Sequence, residues 1–281
     1  MSNLVRTLLY DDQVSLTLID TTEVVKEGAR RHHLKGGVAK VFGKALSVMG
    51  FFSASLKADR GDVSFSIQTD GEIGVIQAAG NKSLSVRGSI ENAKAAGEEE
   101  ELLGANGTLT VVRDDGYNRP FVGSCDFPDE PSVDRLFERY FIISEQLPTY
   151  FSTVVETDEE GEVVFAGLAA LQPLPFTDEK TIEEMPKGET LQGIVKKIKT
   201  DGLERVAKEY FSAKSDGIEN RRVAYKCNCS REYLSEVLAT LGEKQLKEII
   251  EEEGKIGVHC QFCNTDYLFT EKDLDDILGR K

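Results

Sequence analysis

The sequence predicts an α+β fold: an N-terminal mixed α/β domain with a hairpin-rich sheet, a helical linker, and a small C-terminal zinc-binding domain. Three observations carry this expectation. Short segments of period-two alternation recur between turn signals, without the βαβαβ rhythm of a nucleotide-binding sheet. The composition becomes charge-rich after about residue 175, with few strong core residues. Four of the five cysteines stand at position 227 or beyond. The expected divisions are residues 1–175, 176–222 and 223–281, and a chain of 281 residues suits about two domains.

The elements follow in order. Residues 14–20 (VSLTLID) alternate as a half-buried strand would. His32 and His33, after Arg30 and Arg31, mark the end of an exposed helix. Within 36–57, Val38, Val41, Phe42, Ala45, Leu46 and Met49 keep helical spacing. Val63, Phe65 and Ile67 alternate again, Asp70-Gly71 supplies a hairpin turn, and residues 73–79 are the return strand. Further strands are expected at 84–89, 108–113 and 163–171, and the four glutamates at 98–101 fit a solvated loop or helix end. Residues 132–147 read as a helix with Ser132 as N-cap and Leu136, Phe137, Tyr140, Phe141 and Ile143 on or near one face.

The linker carries two amphipathic helical patterns. Leu191, Ile194, Val195 and Ile198 form one, and Leu203, Val206, Ala207, Tyr210 and Phe211 the other. Gly193 and Gly202 each weaken such a helix by about 1 kcal/mol relative to alanine. Short helices of this kind need a surface to dock on. Their apolar face is the best candidate in the sequence for a surface covered in one state and exposed in another. In the tail, Ser230 caps a helix through Leu241, Gly242 interrupts it, and a second helix runs to about Glu253. Residues 255–258 and 267–269 form a hairpin around Cys260 and Cys263, and Thr270 with Asp273 makes a capping box for a last short helix.

Location and charge narrow the functional classes. No apolar run approaches the roughly 18 residues of a membrane helix, and residues 1–12 lack the apolar stretch of a secretory signal. A cytoplasmic, reducing location is therefore expected, where cysteines more often bind metal or act as redox groups than staple a fold. The 49 acidic and 34 basic residues give a net charge of −15, which argues against general nucleic-acid affinity.

The four late thiols form C-x-C, thirty intervening residues, then C-x-x-C. A domain of fewer than about 60 residues rarely supports itself on a hydrophobic core, and a structural metal is the usual remedy. In a strand, residues i and i+2 share a face, so Cys227 and Cys229 can aim at one ion. Cys260 and Cys263 supply the other two thiolates of a tetrahedral zinc site, one Zn2+ per chain. The spacings of iron–sulfur proteins are absent, and His259 is a bystander. Two residues of extended chain span about 7 Å, close to the limit for bridging cysteines, so a disulfide across the C-x-C pair is strained and labile. Zinc-held thiolates are also the form that oxidants attack. Losing a metal that supplies roughly 10–16 kcal/mol would unfold the tail.

Other chemistry is weakly signalled. Cys125 has no partner in sequence and reads as a buried, inert thiol. Ser144, Glu145 and Gln146 suit a fold or interface role, because the chain has three histidines and no nucleophile elbow. No phosphate-binding G-x-x-x-x-G-K-[ST] loop is present, and no enzyme activity is expected. Two alternatives stay open: a thiol–disulfide oxidoreductase with an exposed C-x-x-C at a helix N-terminus, and a zinc-ribbon nucleic-acid module. Against the latter, residues 223–281 hold 8 basic and 12 acidic residues.

Particular motifs then point to a family. They are Cys227-Asn-Cys-Ser-Arg-Glu, the Leu241-Gly242 break, Gly254-Lys255-Ile256, and Cys260-Gln-Phe-Cys-Asn followed by Tyr267 and Phe269. Earlier come Arg87-Gly88, Gly107-x-Leu-x-Val, Tyr140-Phe141-x-x-Ser-Glu-Gln-Leu-Pro-Thr149, and Gly167 through Gln172 to Pro175. Over essentially its whole length the chain resembles the 33 kDa heat-shock protein family, the redox-regulated holdase chaperones of bacteria. The resemblance implies an ATP-independent chaperone that binds unfolded or aggregation-prone clients under oxidative stress, with an N-terminal domain for client binding and dimerisation. It implies an inactive reduced, zinc-bound form. It also implies disulfides Cys227–Cys229 and Cys260–Cys263 on oxidation, zinc release, an unfolded tail, a loosened linker and an activated homodimer. Leu191, Ile194, Val195, Ile198, Leu203, Val206, Tyr210 and Phe211 are then the candidates for client contact. Neither nucleic acid nor membrane is implied as a partner. The chain departs from the family pattern at Tyr233, where a basic residue is common, at the small Ala169-Ala170 pair, and across residues 211–225.

Overall fold

Helix α2 (Gly36–Ser55) is apolar on nearly every side, and a helix of that kind has to be buried all round. In the computed structural model, which describes residues 3–213 and 218–279, α2 contacts strands of two separate sheets. The first sheet has the order β10-β1-β2-β9-β8, and the second β11-β5-β4-β3-β6-β7. The strands of the first are β1 (Leu4–Leu9), β2 (Val14–Asp20), β8 (Tyr150–Thr157), β9 (Val163–Pro173) and β10 (Glu219–Arg221). Those of the second are β3 (Asp62–Thr69), β4 (Val75–Asn81), β5 (Ser85–Ile90), β6 (Gly107–Asp114), β7 (Phe121–Asp126) and β11 (Ala224–Tyr225). Gly80 marks how closely α2 approaches: a Cβ there would stand 2.0 Å from the Ser53 hydroxyl.

The chain divides into two compact units, one ending at Lys226 and the other beginning at Cys227. In the first, an aromatic cluster fills the space around α2. Phe52 meets Phe137 at 5.6 Å and Phe141 at 5.4 Å between ring centroids, and Phe65 meets Phe137 at 4.8 Å. Edge-on and tilted contacts of this kind are favourable beyond the area they bury. Helix α4 (Val133–Ile143) brings Phe137, Tyr140 and Phe141 there, and Ser132 caps it as expected by accepting from the Arg135 N–H at 3.3 Å. The short helix α3 (Glu99–Leu103) forms at the glutamate run, with a capping box from Glu98 and Glu101.

Several expectations need correction. Strand β2 is buried on both faces rather than one. Val14, Leu16 and Leu18 join the cluster beneath the linker helices, while Ile19 joins the one around α2. Ser15 and Thr17 are buried as well. Helix α1 (Thr22–His32) is not an exposed helix. His32 is buried, with its ring 5.5 Å from Phe42, and of the two histidines it is His33, the left-handed C-cap, that is exposed. Helix α4 stops at Ile143, short of Leu147, and Ile143 is half exposed, because the face that packs ends with Phe141. Strands β1, β7 and β8 form where the sequence pattern was silent.

The linker supplies α5 (Glu179–Glu184), α6 (Gly188–Asp201) and α7 (Leu203–Phe211). Leu191, Val195, Ile198, Leu203, Val206 and Phe211 are buried in one cluster with Val5, Leu16, Ala169 and Leu171 of the first sheet. Ile194 is partly buried beside them, and Tyr210 lies outside the cluster, exposed to solvent. Gly202 is not inside a helix. It takes φ +76°, a left-handed conformation glycine adopts without strain, and separates α6 from α7.

The second unit contains α8 (Arg231–Ala239), α9 (Glu243–Glu253), the hairpin β12 (Ile256–Cys260) and β13 (Thr265–Phe269), and α10 (Leu274–Ile277). Its core is Leu238, Leu246, Ile256, Phe269, Leu274 and Ile277. The capping box of Thr270 and Asp273 forms as the sequence indicates. Among the described residues, no helix is long and apolar enough to cross a membrane.

Candidate metal centre

Cys227 and Cys229 lie in irregular chain directly after β11, not in a strand. The other pair is presented by the β12–β13 hairpin. Cys260 ends β12, and Cys263 sits in the turn, which closes with the Asn264 N–H donating to the Cys260 carbonyl at 2.8 Å. Asn264 takes φ +52°, a conformation asparagine tolerates better than most residues.

The four Sγ atoms lie within 4.8 Å of one another, close enough to coordinate one metal ion. Two contacts run between the motifs: Cys227 to Cys260 at 3.7 Å and Cys229 to Cys263 at 3.0 Å. All four are free thiols, three half-buried and Cys263 buried. His259 is turned to other work, its Nδ1 standing 2.8 Å from Asp266.

Burial raises the pKa of Cys227 and Cys229 and pushes Cys263 up to about 11. Cys260 moves the other way. Burial alone would raise it, but hydrogen bonds from the Cys263 backbone and from the neighbouring thiols stabilise its thiolate. As bare thiols, Cys227, Cys229 and Cys263 are thus held protonated more firmly than a free cysteine, and Cys260 less. A bound cation overrides that preference, since coordination deprotonates a thiol outright.

Two residues that the sequence named only within the family motifs, without a role, support the cluster. The Tyr267 hydroxyl lies 3.3 Å from the Cys229 sulfur, and that contact, ahead of burial, raises the tyrosine's own pKa. Arg231 donates to the Leu268 carbonyl at 2.8 Å, pairs with Asp273 at 2.7 Å and stacks over Phe269 at 4.4 Å. It thereby ties α8 to the hairpin that carries Cys260 and Cys263. Ser230, directly after Cys229, caps α8 by accepting from the Tyr233 N–H at 3.1 Å and fixes where the C-x-C segment exits.

A family model described as Hsp33 protein matches residues 2–270. The chain belongs to the Hsp33 family. The match takes in all four cysteines of the cluster together with Tyr267 and Phe269. The 33 kDa chaperonin of Bacillus subtilis is 30% identical, over 99% of this chain and 98% of its own length. That of a Geobacillus species is 32% identical, over 98% and 96%. The crystal structure of the 33 kDa chaperonin of Thermotoga maritima aligns with a TM-score of 0.80 at 29% identity, covering 98% of this chain and 97% of the other.

The remaining candidates fall into place around this Hsp33 fold. Cys125 is buried beside the Leu136 carbonyl, and burial pushes its thiol up to about 11, away from the reactive thiolate. Glu145 accepts from the Tyr140 hydroxyl at 2.8 Å and pairs with Arg113 at 3.1 Å, so the Ser144–Gln146 segment helps hold α4. Cys260 and Cys263 occupy a hairpin rather than a helix N-terminus, which removes the feature a dithiol oxidoreductase uses to lower a thiol pKa.

Proposed function

We propose that this chain is a redox-regulated, ATP-independent holdase of the cytoplasm, inactive when reduced and zinc-bound, that binds unfolded proteins after oxidation. The observation that carries the reading is the four-thiol cluster, all within 4.8 Å, in a unit whose core is six buried residues. Zinc suits the donor set: four sulfurs about 2.3 Å from a tetrahedral ion stand roughly 3.8 Å apart, and these four lie within 4.8 Å of one another, with Cys227 and Cys260 at 3.7 Å and Cys229 and Cys263 at 3.0 Å. When bound, zinc would hold the sulfurs as thiolates and cross-link the Cys227–Cys229 loop to the Cys260–Cys263 turn.

Oxidation acts on the chain's own sulfurs. Forming Cys227–Cys229 and Cys260–Cys263 removes two electrons per bond, and two molecules of peroxide take up those four electrons, together with four protons from solvent because the zinc-held sulfurs are thiolates, to become four waters. Pairing within each motif has a specific effect: it consumes the ligands and leaves nothing joining loop to turn. Pairing across the motifs, as Cys227–Cys260 and Cys229–Cys263, would replace the metal by a covalent link and keep the unit folded. The within-motif pairs, which are those the family resemblance implies, are the ones that suit a switch. Loss of the tail's fold then loosens α6 and α7. Their inner residues Leu191, Ile194, Val195, Ile198, Leu203, Val206 and Phe211 become available to clients along with the apolar sheet face beneath them, and Tyr210 is accessible beforehand. Two such surfaces would also support a dimer of activated chains.

Zinc release and suppression of aggregation of an unfolded test protein, followed together during a peroxide titration, test this. One zinc per chain should be released, and suppression should rise with it. Equal suppression by the reduced, metal-bound protein would sink the reading. Disulfide mapping by mass spectrometry checks the pairing.

A further inference from the structure

We propose that residues 219–226 form a latch that relays the state of the cysteine unit to the linker helices, with Tyr225 and Asn3 as its positioning residues. This rests on the switch reading above and deepens its regulation. The segment stands between α7 and Cys227, so a change that begins at the cysteines reaches α6 and α7 along the chain only by passing through it. It is fastened to both sheets of the first unit. Strand β10 pairs antiparallel with β1, Leu4 opposite Arg221, and β11 pairs parallel with β5, Ala224 opposite Ser85.

Such short pairings hold poorly alone, and two side chains strengthen them. The Asn3 carboxamide imitates a strand: its Nδ2 donates to the Val223 carbonyl at 3.0 Å and its Oδ1 accepts from the Val223 N–H at 2.7 Å. Val223 itself is buried in the core. The Tyr225 hydroxyl donates to the Gly88 carbonyl at 3.2 Å, and Arg31 stacks on its ring at 5.7 Å. The place for that ring is made by a missing side chain. A Cβ on Gly28 would lie 2.8 Å from Leu46 and 3.0 Å from both Phe42 and the Tyr225 ring, so it would crowd the ring and the core beside it. Finally, the Lys226 N–H donates to the Val86 carbonyl at 2.9 Å, so the last fixed backbone point immediately precedes Cys227. Coupling of this kind is reciprocal: whatever holds the latch also steadies the chain entering the first cysteine.

Hydrogen exchange on the full-length, reduced, metal-loaded protein tests the relay. Tyr225→Ala, and independently Gly28→Ala from the other side of the ring, should raise exchange of amides 188–211 about tenfold, equivalent to roughly 1.4 kcal/mol. The four thiols should stay reduced and the metal content unchanged. Tyr225→Phe, which keeps the ring, should restore most of the protection. Unaltered exchange in 188–211 while 219–226 exchanges faster would overturn the proposal. In oxidised wild type, 219–226 should lose protection no later than 188–211, and the opposite order would also overturn it. This second comparison needs no variant to fold. If oxidised wild type follows the expected order yet suppresses no aggregation, the relay stands and the holdase reading fails.

Discussion

The two units of this chain solve the same problem with opposite means. The first packs Phe52, Phe65, Phe137 and Phe141 ring against ring around a helix buried between two sheets. The second has one aromatic, Phe269, in a core of six buried residues, and a four-thiol cluster beside it. Burial per residue rises with size, so the larger unit can stand on its apolar core, while the smaller is the one that a metal held by its four thiols would stabilise. The difference teaches where regulation can be placed. A cross-link made of thiolates is removable by an oxidant, whereas a packed core of rings has no chemical handle.

The largest test of that contrast is Cys263→Ser. It should forfeit most of the roughly 10–16 kcal/mol that a structural zinc contributes, and melt α8, α9 and the hairpin. The aromatic core around α2 should keep its thermal transition, while α6 and α7 loosen. Calorimetry with a zinc assay reads both, and a parallel fall in that core would break the contrast. The converse change is Phe137→Ala, which should cost the first unit about 3–5 kcal/mol while the metal stays bound. Denaturant unfolding followed alongside zinc retention checks it.

A smaller effect sharpens the comparison through pH. Glu138, on α4, accepts from the Phe151 N–H at 2.9 Å, yet burial raises its pKa to about 7. A folded state with the higher carboxyl pKa binds more protons than the unfolded state between about pH 4.5 and 7. Stability from this group is therefore greatest below that window and falls as pH rises through it. Glu138→Gln should raise the melting temperature of the first unit by about 2–4 °C at pH 8 and by less at pH 5. An equal shift at both pH values would remove Glu138 as the cause.

The sequence shows most of this architecture where a residue's role depends on near neighbours. Ser132 and Ser230 as caps, the Thr270–Asp273 box, the β3–β4 hairpin and the helical spacing of α2 are local patterns, and each forms. The cysteine spacing likewise identifies the cluster. What escapes depends on the partner. Ser15 and Thr17 read as a wet face until α2 and the linker helices cover both sides of β2. His32 reads as exposed until Phe42 meets it. Tyr210 fits the helical pattern but lies beyond the edge of the sheet-facing cluster. Arg231 and Tyr267 support the cluster through contacts across the hairpin, which no spacing along the chain reveals.

The Asn3–Val223 clasp spans 220 positions, and this bears on how the protein is made. Strand β1 is synthesised before every other strand of both sheets, but its outer neighbour β10 follows all of them except β11. The linker helices likewise emerge only after β9 has completed the sheet face they cover. At synthesis rates of about 5–20 residues per second, a nascent chain stands for some seconds with Val14, Leu16 and Leu18 uncovered. Each newly made molecule thus passes, on the ribosome, through an open-faced form of its own sheet before α6, α7 and the clasp close it.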